Sequence, residues 1–131
     1  MENIVSLIKS MPDYIGGKGC SDIEVDKAEN ELKVCFASDY KEYLKEIGLA
    51  CFDGIELTGI SDIKRLSVVN VTLEEREYNL NIDKDLYVVH QVGIDGIVIW
   101  QNNKGEVYQT VGDGAPQKIY DSLYDYIKEE G

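Results

Sequence analysis

Apolar positions recur along this chain with two periods, one helical and one of alternating strands. From Asn3 to Met11 the apolar residues Ile4, Leu7, Ile8 and Met11 fall three and four apart, which predicts a short amphipathic helix that Pro12 ends. A second helix is expected from Ser21. The run Ser21-Asp22-Ile23-Glu24 has the spacing of a capping box, in which serine and glutamate satisfy orphan N–H groups reciprocally. Val25, Ala28 and Leu32 supply its inner face, and Asp22, Glu24 and Asp26 suit the positive end of its dipole. A third helix is expected from about Asp39 to Ile47, with Ser38 as its cap and Gly48 as its C-terminal glycine. Tyr40, Tyr43, Leu44 and Ile47 form one apolar face, which favours a core role for the tyrosines over base stacking. Between the first two helices, Gly16-Gly17-Lys18-Gly19 reads as a flexible loop.

The second half switches mostly to strand signals. Asp53-Gly54 separates two short apolar runs and reads as a hairpin turn. Thr72-Leu73-Glu74-Glu75 reads as a second capping box, opening a helix that reaches towards Leu80. From Leu86 to Val92 the residues alternate, with Leu86, Val88, His90 and Val92 on one face and Tyr87, Val89 and Gln91 on the other. Ile97-Val98-Ile99-Trp100 is apolar on both faces, so a central strand covered on both sides is expected, with Trp100 in the core. Asn103-Lys104-Gly105 and Gly112-Asp113-Gly114 punctuate two further strands, and a last helix carries Tyr120, Leu123, Tyr124 and Ile127 inward. With no internal repeat or linker, residues 1–131 read as one α+β domain. It has a single, mostly antiparallel sheet with N-terminal helices and a C-terminal helix packed on it.

Composition sharpens this picture mainly through charge. Against 13 Lys and Arg stand 25 Asp and Glu, a formal net charge of -12. Such a surplus argues against direct nucleic-acid binding, which needs a basic surface, and against anionic membranes. It suits solubility, and it suits a basic protein partner. The three cysteines, Cys20, Cys35 and Cys51, are widely spaced and form no C-x-x-C pair, so reduced thiols in a cytoplasmic protein are expected. Met1 to Val5 lacks the basic and apolar regions of a signal peptide, and no run approaches the ~20 apolar residues that span a bilayer.

Candidate chemistry is sparse. His90, the single histidine, sits in an alternating strand pattern and is expected to be packed rather than catalytic. It cannot complete a zinc site with the cysteines at a recognisable spacing. The Gly16–Gly19 run lacks the Gly-Lys-Ser/Thr ending of a phosphate loop. Asn81-Ile82-Asp83-Lys84-Asp85 begins like a calcium loop, but Leu86 replaces its glycine and Val92 its closing glutamate. With 25 acids, chance carboxylate pairs are unavoidable, and no spacing singles out one pair. No catalysis, cofactor or metal is expected.

Several stretches together resemble the SUKH superfamily, which includes the yeast Smi/Knr cell-wall-assembly regulators and many bacterial immunity proteins. Glu31-Leu32, Phe36, Tyr40, Tyr43-Leu44 and Gly48 match its opening signature. Val88-Val89, Gly93, Asp95-Gly96, Trp100, Gly105-Glu106-Val107-Tyr108 and the segment from Leu123 to Ile127 resemble its later strands and closing helix. The likeness spans Ile23 to Glu129. It departs at Lys33, where the family usually has Gly, at Ala37, where it has Pro, and at Gln101, where it often has Asp; its double glycine is reduced to Gly48.

The resemblance implies a cofactor-free, non-catalytic binding protein. In a bacterial chain of this size it implies neutralisation of a cognate toxin, a basic nuclease of a polymorphic or contact-dependent system, by covering its active site or locking its conformation. The alternative is a regulatory or scaffold module like the fungal relatives; an enzyme of unrecognised type is the third reading. Charge and expected exposure nominate Asp53, Asp95 and Asp113 in turns, with Glu74, Glu75 and Glu77 on a helix start, as partner-binding residues.

Overall fold

The structure, a computed structural model, describes residues 3–130. Helix α1 (Ile4–Ser10) opens it, with the Asn3 side chain accepting from the Val5 and Ser6 N–H groups. It is followed by β1 (Ile15–Gly16), α2 (Asp22–Leu32) and α3 (Ser38–Glu46). The short strands β2 (Ala50–Phe52) and β3 (Ile55–Leu57) lead through a 3-10 turn to α4 (Val68–Tyr78). Strands β4 (Tyr87–Gln91), β5 (Ile97–Gln101), β6 (Val107–Val111) and β7 (Gln117–Tyr120) complete the sheet, and α5 (Leu123–Glu130) closes the chain.

The seven strands lie side by side in sequence order, and every neighbouring pair is antiparallel. This is the expected α+β fold with one antiparallel sheet. Its two faces carry separate apolar clusters. On one face Tyr87, Val89, Ile99 and Val107 meet buried residues of α1, α3 and α5. Tyr40, Tyr43, Leu44 and Ile47 of the α3 face all lie there, fully buried. On the other face, α4 and the loop after it cover Val88, Val98 and Trp100 with Val71, Leu86 and Ile82. Strand β5 therefore is apolar on both sides because both sides are covered. Trp100 is fully buried and donates its indole N–H to the Thr110 hydroxyl (3.0 Å).

The capping box of α2 forms as its spacing predicts: Glu24 N–H donates to Ser21 Oγ (3.2 Å) and Ser21 N–H to Glu24 Oε1 (3.0 Å). Other local expectations are corrected by tertiary partners. Ser38 is the first residue of α3 rather than its cap; Ala37 holds that place and makes no side-chain cap bond. Helix α4 begins at Val68, one turn before Thr72, because Ser67 accepts from Asn70 N–H (3.2 Å). Thr72 instead lies inside the helix, where its hydroxyl accepts the Val88 N–H (2.9 Å). The glycine run after α1 is not a flexible loop. Its first residue pairs in β1, and the N–H groups of Gly17, Gly19 and Cys20 donate to the carbonyls of Leu49, Ile47 and Leu44. These residues satisfy carbonyls at the end of α3, which a helix leaves orphaned. Tyr120 belongs to β7 rather than to the last helix.

The alternation in β4 breaks at a bulge between Val88 and His90. A bulge inserts one extra residue and turns the following side chains over. Val88 thus faces α4, whereas His90 faces α5, where its Nδ1 is 2.8 Å from the Tyr126 hydroxyl. Gln91 returns to the α4 side and donates to Glu75 (2.9 Å).

Candidate functional site

A sequential antiparallel meander sends every second turn to the same end of the sheet. The β2–β3, β4–β5 and β6–β7 turns share one end, and each contains an Asp-Gly pair: Asp53-Gly54, Asp95-Gly96 and Asp113-Gly114. The geometry of two of them requires these residues. Asp53 and Gly54 have φ of 47 and 80, and Asp95 and Gly96 have φ of 56 and 68. Two consecutive left-handed residues make the type I′ turn that matches the twist of paired strands, and Asp-Gly adopts it readily. Neighbouring strands lie about 4.8 Å apart, so successive hairpins stand about 10 Å apart and the row spans about 20 Å. The turns also touch: Gly112 N–H donates to the Gly96 carbonyl (3.0 Å).

All three aspartates are exposed, and none of them enters an ion pair among the described residues. No Lys, Arg or His lies in the turn segments 53–54, 92–96 and 112–116. Two exposed apolar side chains stand among them, Ile94 at 64% and Val111 at 55%. Together with the aspartates they give this end of the sheet an apolar contact and a charge that a partner of opposite sign would complement.

The three nominated glutamates separate. Glu75 adjoins this end, half-buried and held by Gln91, the last residue of β4. Glu74 and Glu77 lie on the outer surface of α4, both exposed, and Glu74 accepts from Asn70 Nδ2 (2.9 Å). Asp13 was missed in the sequence. Its neighbour Pro12 accepts the Asp53 N–H through its carbonyl (2.9 Å), which brings the exposed Asp13, itself at φ 58, beside the β2–β3 turn. The contact joins residues forty apart and has no local signature.

The opposite end of the sheet holds a closed network. Gln101, fully buried, accepts from Tyr87 Oη (2.7 Å) and donates to Asp39 Oδ1 (3.0 Å) and the Gly105 carbonyl (3.1 Å). Asp39 also accepts the Leu123 N–H (3.1 Å), so it caps α5 from another helix. Burial pushes its carboxyl above the usual range, against the lowering effect of these hydrogen bonds. The departure at position 101 therefore lies in the interior rather than on a contact surface.

His90 is buried, and burial lowers its imidazole to about 4. Its hydrogen-bond partner is a tyrosine rather than a nucleophile or carboxylate. Cys35 is exposed, and Cys20 and Cys51 are half-buried, all as free thiols. Among the described residues no group of three or more His, Cys, Asp or Glu is placed to hold a metal ion. Among the same residues no helix is long and apolar enough to cross a membrane.

The fold has a close counterpart in the crystal structure of a protein from Pseudomonas syringae pv. tomato. The two superpose with a TM-score of 0.77 at 12% identity, over 96% of this chain and 94% of that chain. At that identity the likeness shows the fold. No curated protein matches the chain in sequence. Residues 1–130 match SUKH_5, the family described as SMI1-KNR4 cell-wall. That match takes in every element described above, from α1 to α5, and the chain belongs to this SMI1-KNR4 family of the SUKH superfamily.

Proposed function

We propose that this chain is an immunity protein that binds and neutralises a cognate protein toxin, a basic nuclease of a polymorphic or contact-dependent system. The observation that carries the reading is the shared placement of Asp53, Asp95 and Asp113, unpaired and exposed, at one end of the sheet. A nuclease holds phosphates with basic side chains, and a row of carboxylates about 20 Å long complements such a cleft. Close charge pairs across an interface of this kind contribute about 1.5–7 kcal/mol each. Ile94 and Val111 supply the apolar contact that charge alone lacks. The protein acts in the cytoplasm, without cofactor, metal or turnover, and binds neither nucleic acid nor membrane.

The test is co-expression with the product of the adjacent reading frame. Protection of the host, with a salt-sensitive complex on pull-down, supports the proposal. A harmless neighbour, or a toxic one against which the chain gives no protection, overturns it. The family's cell-wall description favours a second reading, a regulatory scaffold module. That reading predicts a stable complex with a non-toxic host protein and a phenotype on deletion without any toxin.

A further inference from the structure

Among the described residues, one concavity on the surface of this acidic chain is basic. It lies where the C-terminal end of α2 meets α4 and the loop leading to β4, and its accessible volume is about 390 Å³. Lys33, Arg76 and Lys84 line it with the apolar residues Leu80 and Ile82 and with Leu32, whose side chain is buried in the core, and no carboxylate does. Four other surface cavities each carry more acids than bases. A site lined by three cations is therefore a departure from the rest of a surface whose formal charge is -12.

Arg76 organises the site. Its Nη1 donates to the Leu32 carbonyl (3.1 Å), and its Nη2 donates to the carbonyls of Lys84 (3.0 Å) and Leu86 (3.2 Å). Three of the five guanidinium N–H groups are thus used, all on neutral oxygens. Among the described residues, the buried Nε has no hydrogen-bond partner and no carboxylate pairs with the charge. A buried donor left without an acceptor costs about 1–3 kcal/mol, so this guanidinium is held without full hydrogen bonding or a counter-charge. Lys33, at φ 57 in the cap of α2, and the exposed Lys84 also enter no ion pair among the described residues. Leu80, 89% exposed, stands in the wall as an apolar surface without a partner.

We propose that this cavity binds a small organic anion, a carboxylate or phosphate monoester attached to a compact apolar body. The anion faces Lys33, Arg76 and Lys84, and the apolar body lies against Leu80 and Ile82. The volume is within the ~300–1,000 Å³ of small-ligand sites. Glu31, Asp83 and Asp85 flank the lining residues in sequence without lining the cavity, which disfavours an extended polyanion.

The test is a titration of the whole ¹⁵N-labelled chain followed by amide shifts, using hexanoate, hexyl phosphate, hexan-1-ol and inorganic phosphate. The expected result is saturable shifts confined to residues near 33 and 76–84 with hexanoate, hexyl phosphate or both, and weaker binding of the other two. The two anions distinguish the carboxylate source from the phosphate source. In the double variant Lys33→Asn, Lys84→Gln, affinity falls at least about tenfold, equivalent to about 1.4 kcal/mol. Asn keeps the left-handed cap, and both positions are exposed, so the fold is retained. The proposal is overturned if neither organic anion saturates up to about 10 mM, or if hexan-1-ol or inorganic phosphate binds equally well. Unchanged affinity in the folded double variant also overturns it.

Discussion

His90 makes the chain's stability depend on pH in a way that can be isolated, because it is the single histidine. Its ring is buried between the sheet and α5, and desolvation lowers it from the ordinary 6.5 to about 4. The unfolded chain takes up a proton near pH 6.5, whereas the folded chain takes one up only near pH 4. The contribution is therefore fully present above pH 6.5 and is lost as pH falls from 6.5 towards 4. At 1.36 kcal/mol per unit, the gap corresponds to about 3 kcal/mol. His90→Gln removes the titration while keeping an amide able to bond the Tyr126 hydroxyl. Urea unfolding of both proteins at intervals from pH 7 to pH 4 measures the difference, and the carboxylate contributions common to both cancel. Over that range the native protein should lose about 3 kcal/mol more than the variant. Parallel stability curves would refute the burial argument, as would an imidazole that titrates near 6.5 by NMR.

Other substitutions test other parts of the fold. Gly59→Ala places a Cβ against the Gly48 carbonyl oxygen, a backbone atom that cannot swing aside, and should cost about 2 kcal/mol or more in urea unfolding. Thr72→Val leaves the buried Val88 N–H without its acceptor and should cost about 1–3 kcal/mol, with Thr72→Ser recovering most of the loss. Ser21→Ala removes one half of the α2 capping box and should cost about 1 kcal/mol, measured the same way.

The elements whose signals are local were legible. The capping box at Ser21, the Asp53-Gly54 turn and the four-residue apolar face of α3 each carry their cause within a few residues, and each forms as expected. The signals that failed did so where a distant partner competes. Thr72 looks like a cap until Val88 takes its hydroxyl, and the glycine run looks loose until the end of α3 supplies carbonyls to it. The bulge in β4 is invisible to a strict period of two, so His90 was expected on the face of Val88. The acidic turns were recognisable one at a time. That they share one end of the sheet follows from the strand order, which alternation alone does not specify. Asp13 and the cavity around Arg76 depend on contacts between separate elements and had no sequence signal.

The central claim is that the Asp-Gly end of the sheet docks a basic protein. The direct measurement is the affinity between the chain and the product of the adjacent reading frame, the proposed toxin, by calorimetry at low and high salt. The native chain should be compared with the triple variant Asp53→Asn, Asp95→Asn, Asp113→Asn. Asparagine tolerates the left-handed backbone of Asp53 and Asp95, so the turns persist while three charges are lost. Affinity that falls with salt, and falls at least about a hundredfold in the triple variant, about 2.7 kcal/mol, is the predicted result. Tight binding that neither salt nor the triple variant weakens would contradict it.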